Sequence, residues 1–200
     1  VKRNFPHALL QWEDFAKHTA FTLLERYRDR VLSFNDDIQG TGAVTLAALI
    51  SAMNIKKQKF SDQRFVIVGL GQAGTGVAFN VRNMMVEEGA SAEDAGRKIF
   101  AYDVPGLLMD DTPGLSDSQK HFAQKNAALT GWTLDSPGKI SLLDVVRNSK
   151  ATVLIGLTAT SGLFNAAILR QMAKNDERPV IFALSNPTSQ SEGTPQEAAE

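Results

Sequence analysis

The sequence contains no cysteine among its 200 residues. This absence excludes a disulfide framework, a thiolate metal site and a thiol nucleophile, and it fits a reducing compartment. No continuous apolar run approaches the roughly 18 residues of a membrane span. The opening Val1-Lys2-Arg3-Asn4 leads into nothing like a signal peptide. We therefore expect a cytoplasmic protein with no membrane partner.

The sequence also lacks an excess of either charge, because the formal net charge is −1. No segment is rich in lysine and arginine. Proteins that bind nucleic acid or anionic membranes through their surface field usually carry such a segment. We expect no nucleic-acid partner, and small molecules are the favoured ligands. The apolar fraction of 43% is typical of a globular chain with a sizeable core.

Both ends of the sequence favour a piece of a longer polypeptide. The first residue is not Met, and Thr194-Pro195-Gln196-Glu197 has the pattern of a helix N-terminus. We expect the chain to continue, with groups essential to function outside these 200 residues.

Short apolar runs alternate with helical patterns through most of the chain. Runs that are apolar on both faces are typical of parallel strands covered by helices on both sides. The sequence thus predicts an α/β fold, a Rossmann-type parallel sheet flanked by helices. The predicted strands are 64–68, 98–103, 151–157 and 179–184, and a polar helix is predicted over 116–128.

The first 54 residues have helical patterns only. Apolar residues at roughly helical spacing predict one amphipathic helix over 9–31, and residues 43–53 are apolar almost all round, as in a buried helix. We therefore divide the chain into a helical segment, residues 1–54, and a dinucleotide-binding domain, residues 55–200. The helical segment packs on the domain in this interpretation.

A glycine pattern follows the first predicted strand and opens a helix, which is the context in which G-x-G-x-x-G indicates dinucleotide binding. The alternative is a glycine-rich turn that binds nothing. Asp103 ends the next predicted strand, where an acid binds the ribose hydroxyls and repels a 2′-phosphate, so NAD is favoured over NADP. It lies further along than the usual spacing of about 20 residues because a short helix is inserted. The predicted cofactor-binding residues are Gly69, Gly71, Gln72, Ala73, Gly74 and Asp103.

Two pairs of neighbouring carboxylates precede the glycine loop. Asp36 and Asp37 lie in a polar turn between Phe34 and Gly42, and Glu13-Asp14 interrupts an apolar run. Carboxylate oxygens suit Mg²⁺ or Mn²⁺, so the two pairs could together hold such an ion. The alternatives are a solvated turn for the first pair and a helix cap for the second. Spacing alone leaves these alternatives open.

Three segments resemble the signature segments of the malic enzyme family. They are Gln11-Trp-Glu-Asp-Phe15, Phe34-Asn-Asp-Asp-Ile-Gln-Gly-Thr41 and Ala183-Leu-Ser-Asn-Pro-Thr188, and they occur in the family's order around the glycine loop. The resemblance implies a Rossmann-type domain with an associated helical metal-binding segment, the cofactors NAD and Mg²⁺ or Mn²⁺, and L-malate as substrate. It also implies a homodimer or homotetramer for the full-length protein.

The resemblance assigns roles residue by residue. It implies that the metal ligands are Glu13, Asp14 and Asp37, and that Asp36 is the catalytic carboxylate that hydrogen-bonds the lysine base. It places Asn186 where the family holds malate. The alternative for Asn186 is an ordinary Asn-Pro turn.

The departures from the family pattern leave the reaction open. Leu108-Met-Asp-Asp-Thr-Pro113 resembles the corresponding loop of malolactic enzymes, which convert L-malate to L-lactate and CO₂ with NAD and Mn²⁺. Gln119 falls where NADP-specific members of the family carry lysine, which again favours NAD. The family's catalytic tyrosine and lysine lie outside this sequence, so we expect the isolated chain to bind NAD without turnover. The main expectation is oxidative decarboxylation of malate to pyruvate and CO₂. The alternatives are the malolactic reaction and a non-catalytic NAD-binding regulatory module.

Overall fold

The computed structural model describes residues 1–199, apart from the side chains of residues 17 and 18. A π-helical turn, Asp36–Gly40, runs directly into one of the helices. In chain order the elements are β1 (Leu10–Trp12), α1 (Lys17–Tyr27), β2 (Ser33–Asn35), α2 (Thr41–Lys56), β3 (Phe65–Val68), α3 (Gln72–Glu87), α4 (Ala92–Arg97), β4 (Ile99–Asp103), β5 (Gly106–Leu107), α5 (Asp117–Lys120), α6 (Leu142–Ser149), β6 (Val153–Gly156), α7 (Ala166–Asn175), β7 (Val180–Ala183) and α8 (Pro195–Ala199).

Five of these strands form the main sheet, in the order β5-β4-β3-β6-β7. β4, β3, β6 and β7 are parallel, and β5 pairs antiparallel with the outer side of β4. The four predicted strands are therefore present, and the predicted α/β fold with a Rossmann-type parallel sheet is confirmed. The short edge strand β5 is not among the predicted strands.

The central strand divides its side chains between two cores. Phe65 and Ile67 pack on the side of α2, α3 and α4, whereas Val66 and Val68 pack on the side of α6 and α7. Successive side chains of a strand point to opposite faces, so a strand that is apolar at every position has to be covered on both. This is why a continuous apolar run marks the centre of the fold.

The parallel register brings the carboxyl ends of the strands to one edge. Val68 pairs with Tyr102 and with Gly156, and Gly156 pairs with Ala183. The loops that follow β3, β4, β6 and β7 consequently lie side by side. In open parallel sheets, ligands bind at this edge where the strand order reverses.

The predicted helix over 9–31 is wrong in its first part. Residues 10–12 form β1, which pairs in parallel with β2, and the helix begins only at residue 17. Asp14 has a φ of 57°, a left-handed conformation that an α-helix does not contain. Trp12 stacks on Tyr27 of α1 with ring centroids 5.9 Å apart. The apolar residues that gave the helical spacing therefore belong to a strand and a helix packed together.

The predicted helix over 116–128 is also wrong, because α5 ends at Lys120. The chain then turns inward, so that Phe122 is buried with its ring centroid 5.0 Å from that of Phe79. Gln124 is buried as well, and its Nε2 donates to the carbonyl of Ile99 at 2.7 Å. These long-range contacts override the helical preference of a polar segment.

The helix over 43–53 is present within α2, but it is not buried all round. Thr45, Leu49 and Met53 are buried, whereas Val44 and Ile50 are exposed. Among the described residues, the continuous helical stretch Asp36–Lys56 is long and apolar enough to cross a membrane by length and composition, which the sequence analysis did not anticipate. Here its buried side packs against α3.

Glycines let the π-helical turn and α2 approach α3 closely. A Cβ on Gly76 of α3 would collide with the carbonyl oxygen of Ile38 in the turn. A Cβ on Gly42 would lie 2.6 Å from the side-chain nitrogen of Asn80 and 3.2 Å from the carbonyl oxygen of Gly76. The carboxylate turn is thereby held against the helix that follows the glycine loop.

We predict that Gly76→Ala separates the turn from α3 and lowers the free energy of unfolding by about 1–3 kcal/mol, the usual cost of overpacking. Denaturant titration measures this loss. Gly96→Ala in α4 is the matched control, because its Cβ would meet nothing closer than the His121 carbonyl oxygen at 3.9 Å. That change should be neutral or stabilising by up to about 1 kcal/mol. Equal effects of the two substitutions would contradict the close-packing argument.

Candidate active site

A crevice at the carboxyl edge of the sheet has the position of a dinucleotide site. It is a cavity of about 430 Å³ between the loops that follow β3, β4 and β6. The predicted residues Gly69, Gly71 and Asp103 line one side of it, and Thr158 and Leu163 line the other. The structure therefore brings the glycine loop and the predicted ribose-binding acid together.

The glycine loop has the conformation that phosphate binding requires. Gly69 has a φ of 89°, and Gly74 lies so close to it that a Cβ on Gly74 would collide with the Gly69 carbonyl oxygen. A Cβ on Gly71 would meet no described atom within 4 Å, so this glycine leaves open space in front of the backbone. Gln72 begins α3, whose N-terminus attracts the negative charge of a pyrophosphate.

Asp103 is oriented by the glycine loop and by a buried amide. Its Oδ2 accepts from the backbone N–H of Leu70 at 3.1 Å and from Nε2 of Gln119 at 3.4 Å. Gln119 also donates to the Leu70 carbonyl at 3.2 Å. These bonds hold the carboxylate at the end of β4, where ribose hydroxyls can donate to its remaining lone pairs.

Most of the polar residues in the carboxylate turn serve its backbone. The side chain of Asn35 accepts from the N–H of Ile38 at 2.9 Å, and Gln39 Oε1 accepts from the N–H of Asn35 at 2.9 Å. Gly40 is needed because a Cβ there would collide with the carboxylate of Asp36. The turn thus presents Asp36 and Asp37, both half-buried, from a framework of its own hydrogen bonds.

The parallel pairing of β1 with β2 joins the two carboxylate pairs. Gln11 is opposite Phe34 and Trp12 is opposite Asn35, so the residues that follow each strand are neighbours. The N–H of Asp14 donates to Oδ2 of Asp37 at 3.1 Å. The helix-cap alternative for Glu13-Asp14 is not what the structure shows, because α1 begins after Ala16.

Asp14 and Asp37 face the glycine loop across one cavity. This cavity, of about 620 Å³, is lined by both aspartates, by residues 15 and 16, and by residues 71–73 of the glycine loop. Gln72 Nε2 donates to the Phe15 carbonyl, which ties the loop to the carboxylate segment. Gln72 Oε1 is buried and accepts no hydrogen bond from the described residues.

The predicted site residues Glu13, Asp36 and Asn186 line neither of these two cavities. Glu13 is exposed, and its Oε2 accepts from Gln11 at 3.4 Å. Within residues 1–199, no group of three or more acidic or histidine side chains is placed to hold a metal ion, so the ligand set that includes Glu13 stays a prediction. Asn186 is exposed and lines a different cavity, next to β7.

Sequence reasoning missed one group at this edge. Glu192 is fully buried and accepts hydrogen bonds from Thr158 and Ser185. Neither the spacing nor the composition of residues 191–193 distinguishes it from a surface glutamate. Only the three-dimensional arrangement of the loops identifies it.

We predict that Gly71→Ala weakens NAD binding about tenfold or more, because a methyl group would occupy the space that the pyrophosphate enters. The melting temperature should stay near that of the unchanged protein, since the added Cβ meets no described atom. Titration calorimetry with NAD measures the first effect and thermal unfolding the second. Gly96→Ala is again the control and should leave NAD affinity unchanged. Unaltered NAD affinity in Gly71→Ala would contradict the assignment of the loop.

Comparison with known proteins agrees with this geometry. Residues 38–200 match the family model described as "Malic enzyme, NAD binding domain". The NAD-dependent malic enzyme of Edwardsiella ictaluri is 50% identical over 197 residues, which are 98% of this chain and 35% of that protein. The NAD-dependent malic enzyme of Shewanella loihica is 48% identical with the same coverage. The chain thus spans about a third of the length of these relatives.

Solved structures show the same fold. The malic enzyme of Pyrococcus horikoshii superposes with a TM-score of 0.72 at 25% identity, over 96% of this chain and 41% of that one. The malic enzyme of Entamoeba histolytica gives a TM-score of 0.73 at 24% identity, over 99% of this chain and 38% of that one. With the family model matched over most of its length, the chain belongs to the malic enzyme family and carries that family's NAD-binding domain.

Proposed function

We propose that this chain supplies the NAD-binding part of a metal-dependent malic enzyme, which oxidises L-malate with NAD and releases pyruvate, CO₂ and NADH. The observation that carries the proposal is the cavity in which Asp14 and Asp37 face residues 71–73 of the glycine loop. Hydride transfer requires the substrate to lie beside the cofactor. A cavity lined by two carboxylates and the dinucleotide loop supports this arrangement.

The proposal concerns the full-length protein. Relatives with the name NAD-dependent malic enzyme are longer than this chain, which covers 35% of each. The lysine base and the tyrosine that the family uses would come from the remaining part. Cytoplasmic location and a homodimeric or homotetrameric assembly are part of the same proposal.

The proposed metal is Mg²⁺ or Mn²⁺. Asp14 and Asp37 supply hard oxygen ligands within one cavity, which is the donor chemistry these ions prefer. Glu13 would complete the set once its side chain leaves Gln11, with which it is now hydrogen-bonded. When bound, the cation supplies positive charge that stabilises negative charge developing on the substrate oxygens during oxidation and decarboxylation.

The protein groups would divide the remaining work. The glycine loop and the N-terminus of α3 bind the pyrophosphate, and Asp103 binds the ribose hydroxyls. Asp36, held in the turn beside Gly40, orients the lysine base that removes the hydroxyl proton of malate. Asn186, which lines a separate cavity next to β7, would have to reach the substrate from there; its carboxamide can donate hydrogen bonds to a carboxylate of malate.

The malolactic reaction and a regulatory module without catalysis are less well supported. The named relatives are NAD-dependent malic enzymes, and Asp14 and Asp37 remain in place beside the glycine loop. A module that had lost catalysis would have no need for either carboxylate. Product analysis separates all three functions.

We predict that the full-length protein, incubated with L-malate, NAD and Mn²⁺, produces NADH and pyruvate in equal amounts. The measurements are absorbance of NADH and identification of the product acid. Omission of the metal should abolish both products, and NADP should replace NAD poorly because Asp103 would face its 2′-phosphate. Lactate without accumulated NADH would establish the malolactic reaction instead. NAD binding with no malate consumption would contradict both enzymatic functions.

A further inference from the structure

Glu192 has an environment that is uncommon for a glutamate. It is fully buried, and four hydrogen bonds reach its carboxylate from two residues that are both uncharged. Oε1 accepts from the N–H of Thr158 at 2.6 Å, from Thr158 Oγ1 at 2.8 Å and from Ser185 Oγ at 2.6 Å. Oε2 accepts from the N–H of Ser185 at 3.3 Å. Burying an ionised carboxylate is costly unless its lone pairs are satisfied in this way.

These bonds join the loops that follow two neighbouring strands. Thr158 follows β6 and Ser185 follows β7, so one carboxylate ties both loops together. Ser185 Oγ also accepts from the N–H of Ala159 at 2.8 Å, which closes a ring of hydrogen bonds. Ala159 has a φ of 54°, a conformation that residues other than glycine, asparagine and aspartate adopt at a cost of about 1 kcal/mol or more. The ring therefore holds a loop that would otherwise relax.

The surrounding backbone is adapted to the glutamate. A Cβ on Gly156, the last residue of β6, would lie 2.6 Å from Cγ and Cδ of Glu192 and 2.8 Å from the ring of Phe164. The Glu192 carbonyl accepts from the N–H of Phe164 at 2.7 Å, which fixes the glutamate's own backbone to the segment before α7. The strand thus ends on a glycine where the glutamate side chain needs the space.

The carboxylate is held in its ionised form. Burial alone would raise the pKa of Glu192, but the hydrogen bonds from Ser185 and Thr158 outweigh it and lower the pKa below the ordinary glutamate value. A lowered pKa in the folded state means that the ring stabilises the fold above the ordinary pKa of glutamate. That contribution is lost as the pH falls through the lowered pKa. At neutral pH the ring is intact.

The two loops lead to different parts of the proposed active site. Thr158 lines the dinucleotide crevice opposite Gly69 and Gly71, and Ser185 directly precedes Asn186. Dinucleotide-binding sheets consist of two mononucleotide halves, and the adenosine half here belongs to β3 and β4 with Asp103. The nicotinamide half consequently falls on the side of β6, where Thr158 lies.

We propose that Glu192 is a positioning residue. It fixes the loop after β6, which lines the nicotinamide half of the crevice, relative to Asn186, and so sets the position of the cofactor relative to the substrate. It contacts neither the cofactor nor the substrate and acts through Thr158 and Ser185. The part that concerns Asn186 and malate rests on the proposed function. The part that concerns the nicotinamide half rests on NAD binding alone.

The test compares Glu192→Gln with Glu88→Gln in the full-length protein. Glu88 is the control, because its carboxylate also accepts backbone N–H bonds, from Phe60 and Ser61, and its pKa is also lowered; unlike Glu192 it is exposed, and it lies away from the crevice. In Glu192→Gln we expect the dissociation constant of NAD and the KM for malate to rise about tenfold or more, because the charge is lost and the amide nitrogen that replaces one oxygen cannot accept a hydrogen bond. The dissociation constant of AMP, which occupies only the adenosine half, should change less than about twofold. Glu88→Gln should leave all three constants unchanged.

Ser185→Ala provides a second route if Glu192→Gln folds poorly. It removes the hydroxyl that bridges Ala159 and Glu192. It should also raise the dissociation constant of NAD and leave that of AMP unchanged. In the double variant with Glu192→Gln, the loss of NAD binding free energy should be smaller than the sum of the losses in the two single variants, because both substitutions break the same ring of hydrogen bonds. Variants that only melt earlier, with NAD, AMP and malate constants as in the unchanged protein, would overturn the proposal. Failure of the unchanged protein to consume malate would refute the proposed function, and the comparison of NAD with AMP would still decide the role of Glu192.

Discussion

The arrangement of the site depends on one steric constraint, the contact between the Ile38 carbonyl and Gly76 of α3. A side chain at Gly76 would force the π-helical turn away from the helix that opens on the glycine loop. With only hydrogen there, the turn that carries Asp36 and Asp37 lies against that helix. The two aspartates of the turn and the glycine loop are thus positioned by the same packing, although α2 and β3 separate them in the chain.

The acidic groups at this edge are distinguished by what satisfies them. The carboxylate of Glu192 is surrounded by four donors and is fully buried, so it has no capacity left for a ligand and serves to position loops. Asp37 accepts one backbone N–H, from Asp14, and lines an open cavity. A carboxylate with free lone pairs next to a cavity has the capacity to accept from a ligand, whereas one whose lone pairs are already used by protein donors holds structure. The same criterion separates Asn35 and Gln39, which close the turn, from Asp37.

Much of the fold could be predicted because its signals are local. The continuous apolar run of β3, the glycine spacing after it and the alternation of strands and helices each follow from residues adjacent in the sequence. The errors concern segments whose structure is decided from a distance. β1 has only three residues and exists because β2 pairs with it, and residues 121–124 leave the helical pattern because Phe122 and Gln124 enter the core. Glu192 was missed for the same reason, since its partners at 158 and 185 are brought together only by the parallel sheet.

The central claim is that the carboxylates at Asp14 and Asp37 hold a divalent cation beside the dinucleotide. Paramagnetic relaxation of the protons of bound NAD by Mn²⁺, measured by NMR on the full-length protein, tests it most directly. The account predicts strong broadening of the nicotinamide protons in the unchanged protein and in Asp36→Asn. It predicts loss of the broadening in Asp37→Asn at the same Mn²⁺ concentration, because a ligand of the ion is removed. Broadening that survives in Asp37→Asn, or bound Mn²⁺ that leaves the NAD protons unaffected, would contradict the account.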